Sequence, residues 1–432
     1  MTDIYEIAEY TLEALKKSGA DAAQCIVSKS KKDELNVDGG KFSLMRSTFN
    51  TSISMKAIKD GKKGVTSINQ ATKEAIDEAA AQCISAAQSS VPDEAEQIAP
   101  FTAKAEYKTG VFEPELDKLF DRIEEFMSQT AAEYPKIILE QLISDYEHSE
   151  KLYMNTNGTS LKYEHGEYSF NTMFSAHEGE KASSFNGYFC ALDSLDKPFM
   201  DAGMQRQLLA ESEKQLDTVS PSEKFVGRVI YSPDCFNELL QTALENFASS
   251  GVLIDGTSPW KDALNTKVAS EKLNLRSVPL DGRTVVGQRF TLDGYPVEDM
   301  DIIIDGVLKT FILSQYGANK TGFPRSLNSG NNLEVLPGDK ALEEMISGID
   351  RGLIVNRFSG GQPSSNGDFS GVAKNSFLIE NGKVVSAVSE TMISGNIIDM
   401  LNNIVAVSKE QTTDGLSFMP WAEFDGVTVS GK

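Results

Sequence analysis

Histidine is the scarcest reactive residue in this chain, with three copies, His148, His165 and His177, among 432 residues. Metal sites built from several imidazoles, and catalysis that needs a spare histidine base, therefore have few places to be. Cysteine is almost as rare. Cys25, Cys83, Cys190 and Cys235 are scattered and none forms a CxxC pair, which excludes a zinc ribbon and a disulfide framework and points to reduced thiols in a reducing compartment. No stretch approaches about 18 consecutive apolar residues, so no membrane-spanning helix is expected. The start, MTDIYEIAEYTLEALKKSGA, lacks a basic beginning and a continuous apolar core. It does not read as a signal peptide, and a cytoplasmic location is expected. Positive charge is also in deficit. With 41 Lys and Arg against 63 Asp and Glu, the net charge is −22, which argues against direct nucleic-acid binding as a main function. Lys29, Lys31 and Lys32 form one small basic run and read as a solvated strand end. GxSxG and GxxxxGK[ST] are both missing, so neither a serine-hydrolase elbow nor a phosphate loop is present.

What is present is a globular composition, 40% hydrophobic, long enough for two or three domains. Residues 3–18 have Ile4, Ile7, Ala8, Leu12 and Leu15 at helical spacing, with Gly19 to end the helix. Alternating segments follow, AQCIVSKS, ELNVDG, KFSLMR and SISMKAIK, with hairpin signals at Asp38-Gly39 and Asp60-Gly61. A second helix is expected over 71–88, then a linker or ordered wrap at 89–100. Pro114 suits the first turn of a helix carrying Leu116, Leu119, Ile123 and Phe126. Long strands surround an Asn157-Gly158 turn, and 201–216 looks helical. The last portion opens with a strand, then a helix introduced by Pro233. Hairpins at Asp305-Gly306 and Asn381-Gly382, a helix at 393–403 and a closing strand at 426–430 complete it. The fold class is α+β. An N-terminal domain of helix plus antiparallel sheet (1–95) precedes a hairpin-rich middle region (105–217) and a C-terminal domain with a large antiparallel sheet (222–432).

Three places invite chemistry. His165 and His177, with Glu178 and Glu180 nearby, could meet across a hairpin and hold a metal; partly exposed strand residues are the alternative. Glu298, Asp299 and Asp301 could also attract a divalent ion, but read better as a solvated strand edge. The segment RFSGGQPSSNGDFSG, 357–371, sets glycines and hydroxyl residues between two apolar strands. Its backbone could approach an extended peptide closely, or it is a long surface loop. Ser359, Gly360, Gly361, Asp368, Phe369 and Ser370 are the candidate peptide-groove residues there.

Together KDGKKGVTSINQ, LYMNTNGTSL, GRVIYSPDCFNELLQTAL, RFSGGQPSSNGDFSG and SGNIIDML give a chain that resembles the TldD/PmbA family, once described as modulators of DNA gyrase and related to metalloproteases. TldD-type members carry HExxxH on the helix after the strand, with a further ligand from the C-terminal domain. Where LLHExxxH would stand, this chain has Leu239, Leu240, Gln241, Thr242 and, at the last position, Asn246; no cysteine follows Cys235. An amide is a weak zinc ligand and threonine is no base near neutral pH. The resemblance is therefore to the PmbA/TldE branch. It implies no catalytic residue and no metal ligand in this chain, and a TldD-type, HExxxH-bearing partner that supplies the zinc. It implies a heterodimer or larger complex, or a homodimer, acting on unfolded or extended peptides. Two alternatives stay open: an autonomous metallopeptidase with a non-standard site, and a non-enzymatic binding or assembly protein of the gyrase-modulator kind.

Overall fold

A computed structural model describes residues 3–360 and 363–431. Helix α1 (Ile4–Lys17) begins at an Asp3 cap, whose carboxylate accepts from the Tyr5 and Glu6 amides, and ends before Gly19, at φ +104°. The four alternating segments that follow fuse into two long strands, β1 (Ala22–Asp38) and β2 (Lys41–Lys59). Their turn is Gly39-Gly40, both at positive φ, rather than Asp38-Gly39, because Asp38 still pairs with Lys41. The Asp60-Gly61 turn forms as expected and leads to β3 (Lys62–Ile68) and α2 (Lys73–Ser89).

Residues 90–103 wrap in an ordered course. Glu96 is buried between Lys56 and Lys63, and Asp93 is held by Tyr316 and Lys320. After β4 (Lys104–Gly110), helix α3 (Leu116–Glu133) starts two residues later than a proline at its first position requires. Glu115 occupies the cap, so Pro114 lies outside the helix. The hairpin β5 (Ile137–Asn155) and β6 (Ser160–Glu178) turns through Asn157-Gly158. β7 (Asn186–Leu192) pairs with β6, and α4 covers only Gln205–Lys214. The sheet order is β3-β2-β1-β5-β6-β4. β1 pairs with β5 from Gln24↔Asn155 to Asp38↔Gln141, so the strands of the N-terminal and middle portions form one continuous sheet.

The C-terminal portion is built on β8 (Phe225–Tyr231), α5 (Pro233–Phe247), β9 (Arg351–Val355), β10 (Arg357–Gly360), β11 (Asp368–Lys374), β12 (Ser376–Glu380), β13 (Lys383–Val388) and β14 (Met392–Asn396). It ends with α6 (Ile397–Asn402), β15 (Ile404–Thr413) and β16 (Phe418–Ser430). The helix expected at 393–403 is shorter because Asn396 caps it, while Met392–Asn396 pairs with β11. β16 is far longer than the closing strand expected at 426–430 and sits inside the sheet, between β8 and β15. The architecture is α+β, with a large, mainly antiparallel C-terminal sheet.

One hydrophobic core lies under α5, while a second spans both halves. Phe126, Phe170 and Phe199 from the first half meet Ile230, Ile379 and Trp421 from the second. A tighter junction forms where Tyr153, from β5, donates to the Asp293 carbonyl at 3.4 Å and Thr102 donates to the Gly294 carbonyl at 2.7 Å. Gly294 has φ +88°, and a Cβ there would come within 2.2 Å of the Tyr153 ring. Gly294→Ala is therefore expected to destabilise the fold by about 2–4 kcal/mol, from ring overlap plus the unfavourable left-handed backbone. Urea unfolding of the variant beside the parent checks this, and an unchanged midpoint would contradict the packing.

Candidate functional site

Helix α5 positions the site. The Ser232 hydroxyl accepts from the Cys235 amide, and Pro233 occupies the first turn. Phe236, Leu240, Ala243 and Phe247 recur at helical spacing and are buried, which holds that stripe down; at about 1.5–3 kcal/mol per large apolar side chain it anchors the helix firmly. Another face is left for solvent. Asn237, Gln241 and Glu245 on it, together with the buried Leu244, line a cleft of ≈ 1060 Å³. Other walls of the cleft are Ser28 and Ser30 of β1, Asn50–Ser52 of β2, and Tyr163 and His165 of β6. A smaller hollow of ≈ 350 Å³ lies against the first half of α5 and is lined by Asp234 and Glu238, with Gly187, Tyr188 and Phe189 of β7. The two hollows share Asn237, Gln241 and Asp414, so one furrow follows the open face of the helix.

The furrow is electrically uneven. Asp234, Glu238 and Glu245, with Asp414, make its helix side anionic, whereas the facing wall of the larger hollow carries both signs, Lys29, Lys151 and Arg289 beside Glu147, Glu150 and Glu167. The Arg289 guanidinium lies over the Tyr163 ring, 5.6 Å from its centre. Although Asp234 reaches solvent, the surrounding protein and then the charge of Asp414 push its carboxyl up to about 6. Burial also raises Glu238, with Arg357 partly offsetting it.

Of the metal-motif positions, Gln241 alone faces the furrow, its amide donating to Asn237 Oδ1 at 3.3 Å. Thr242 spends its hydroxyl on the Glu238 carbonyl at 2.8 Å, and Asn246 lines neither hollow. Two amides and a committed hydroxyl do not suit zinc. Among the described residues, no three of His, Cys, Asp and Glu converge so as to hold a metal ion.

The expected meeting of His165 and His177 is corrected. Both stand on the single strand β6, twelve residues apart, which at about 3.3 Å per residue separates them by about 40 Å. His177 bonds Ser175 Oγ at 2.9 Å, and His148 pairs with Glu164 at 3.0 Å. His165 is buried at the cleft wall, its Nδ1 2.8 Å from Thr109 Oγ1. Its Nε2 lies 2.6 Å from Glu167 Oε2, out of line for a hydrogen bond.

The glycine-rich segment forms a hairpin rather than an open loop. Ser359 and Gly360 end β10, and Asp368, Phe369 and Ser370 open β11; Gly361 lies outside the described residues. β11 pairs with β14 from Asp368↔Asn396 to Val372↔Met392, and Asp368 Oδ1 accepts from the Asn396 amide at 2.9 Å. The GDFS and SGN stretches thus bind each other. The hairpin flanks α5, with Phe358 against Phe369 and Gly367 close to Phe247, but the residues singled out there line neither hollow. Missed from sequence were Asn237, which helical spacing one turn before Gln241 could have found, and Asp414, Phe189 and Arg289, which arrive from distant segments.

A carboxyl raised in the folded state favours folding below its unfolded pKa and loses that contribution as pH rises through the folded value. Asp234→Asn is therefore expected to be more stable than the parent at pH 7, with the gain shrinking between about pH 6 and about pH 4. Unfolding titrations across that range test it; a gain that grows on acidification would refute the assignment.

The comparisons with known proteins agree with this geometry. The family model described as PmbA/TldA metallopeptidase domain 1 matches residues 23–87, and that of the C-terminal domain matches 224–431. The metalloprotease PmbA of Escherichia coli O157:H7 is 31% identical over 155 residues, 35% of this chain and 34% of that protein. A zinc metalloprotease TldD homolog of Saccharolobus solfataricus is 28% identical over 220 residues, 47% of this chain and 49% of the other. The matched stretch thus spans between a third and a half of these curated relatives. TldE from Thermococcus kodakarensis superposes with a TM-score of 0.82 at 22% identity, over 98% of this chain and 100% of the other. A proposed modulator of DNA gyrase from Bacteroides thetaiotaomicron gives 0.84 at 23%, over 100% of both. At those identities the likeness is one of fold. With both domain models matched in order, and the fold shared from end to end, the chain belongs to the TldD/PmbA family of metalloprotease-related proteins.

Proposed function

We propose that this chain is the non-catalytic, PmbA/TldE-type subunit of a TldD/PmbA zinc-peptidase complex, and that an extended peptide lies in the furrow along α5. One observation carries the reading: the helix in the place of the metal helix walls a peptide-sized furrow, yet holds Gln241, Thr242 and Asn246 where the zinc residues would be. The zinc, its water and the glutamate base then come from an HExxxH-bearing partner. The β7 edge supports this role. Gly187–Phe189 line the furrow, and β7 pairs with β6 alone among the described strands; Asn186 Oδ1 takes the Gly187 amide and the Asp414 carbonyl takes the Ala191 amide, so an added strand would pair through Phe189. Ser359, Gly360, Gly361, Asp368, Phe369 and Ser370 act in this reading as the flank that holds α5 in place, with Gly361 carried over from sequence. Such a seat tolerates many sequences but demands an unfolded chain, because a folded substrate has few free edge groups. Among the described residues no helix is long and apolar enough to cross a membrane. All four cysteines are buried free thiols, which supports a reducing, cytoplasmic location.

Reconstitution tests the role. This chain, a TldD-type chain and their mixture are each assayed on an unstructured peptide. Chelator-sensitive cleavage is expected in the mixture and not with this chain alone. Within the mixture, Phe189→Asp should raise KM about tenfold while leaving kcat near the parent value, because binding rather than chemistry is lost. Efficient cleavage by this chain alone, or recovery of a topoisomerase subunit as its sole stable partner, would end the proposal.

A further inference from the structure

One stretch of the large cleft has hydrogen-bond donors to spare. Gly287, Gln288 and Arg289 all line the cleft, and their three successive amides meet no acceptor among the described residues. Three of the four carbonyls of 286–289 are already engaged. Val286 accepts from the Asn332 amide at 2.8 Å, Gln288 from Arg289 Nη1 at 3.2 Å, and Arg289 from the Val297 amide at 3.2 Å. Such a row calls for a ligand that accepts.

Arg289 adds charge and direction. Its Nη1 is pinned by the Pro279 carbonyl at 2.6 Å as well as by Gln288, and its guanidinium lies over Tyr163. Gly287 leaves room for this, because a Cβ there would come 2.2 Å from the Pro279 oxygen and 3.0 Å from Nη1. Nε and Nη2 keep no acceptor among the described residues, and together they form an edge that grips a carboxylate with two parallel bonds. Lys151, the cross-strand neighbour of Tyr163, also lines the cleft. Neither cation enters an ion pair among the described residues, although the chain carries −22. Arg276 and Arg283, by contrast, each hold carboxylates. The carboxylates nearest in the wall are engaged elsewhere: Glu147 with Lys32 at 3.1 Å, Glu150 with Lys162 at 2.7 Å, and Glu167 against His165 at 2.6 Å. A phosphate, at about −1.5 to −2, would meet Glu245 and Asp414 in the same cleft, so a singly charged carboxylate fits better.

We infer that Gly287–Arg289, with Lys151, is a seat for a carboxylate of the bound peptide, and that Arg289 is a specificity-determining residue of the furrow. The inference rests on the peptide reading above and adds the chemical group that fixes the peptide's place. Fluorescence anisotropy tests it, with a labelled unstructured peptide bound to this chain alone and mixed with a TldD-type chain stripped of zinc by chelator. Three forms of one peptide are compared: unaltered, amidated at its C-terminus, and with Asp and Glu changed to Asn and Gln. At least one altered form should bind about tenfold more weakly, as the loss of a charge-assisted bond requires, and that form names the source of the carboxylate. Arg289→Gln should weaken the unaltered peptide by a similar factor while leaving the affected form unchanged, and Arg289→Lys should lie between. Equal binding of all three forms to the parent, or equal weakening of all three by Arg289→Gln, would overturn this inference and leave the peptide reading of the furrow standing. Absence of binding by every form, to the chain and to the mixture, would overturn both.

Discussion

The pairing of β1 with β5 is the constraint on which the rest of the molecule depends. Fifteen successive residue pairs, without a bulge, weld the N-terminal hairpin to the long central hairpin. Side chains alternate across a strand, so register decides which of them face the core. Val27 is buried while its neighbours Ser28 and Ser30 face the cleft. A slip of one residue would exchange them, breaking the core beneath α1 and α2 and turning the cleft wall apolar.

That sheet makes a site only because α5 is held against it from the other half. α5 resolves two demands on one helix. Its phenylalanine-rich stripe is committed to the C-terminal core, and its polar face is free to line a furrow. Because the buried stripe anchors the helix, the residues on the open face can change without loss of the scaffold. This is a physical route by which a metal helix can be kept as architecture while amides replace imidazoles. The helix side of the furrow is anionic, while the facing wall sets cations and carboxylates side by side.

Local chemistry made much of the fold legible. Asp3, Thr72 and Ser232 cap their helices, the Asp-Gly and Asn-Gly turns at 60, 157, 305 and 381 lie where expected, and the α+β class follows from the order of elements. Strand lengths were less legible, because alternation broken by a few polar residues reads as separate segments, yet the ladder runs through them. A meeting of His165 and His177 across a hairpin is ruled out for a related reason: one uninterrupted strand carries both. The glycine-rich composition predicts a segment between strands but not its partner, because the Ser394–Asn396 stretch that pairs with it runs directly into a helix and shares that helix's sequence pattern.

From the residues alone came the α+β class, the turns at 60, 157, 305 and 381, the net negative charge and the chemical poverty of positions 241, 242 and 246. These depend on side-chain type and on neighbours a few positions away. Only the tertiary structure decided that Asp414, Phe189 and Arg289 share a furrow with Gln241, and that His177 is remote from it. Those facts depend on register and on packing between segments up to hundreds of residues apart, and long-range pairing leaves no periodic trace in the sequence of either partner.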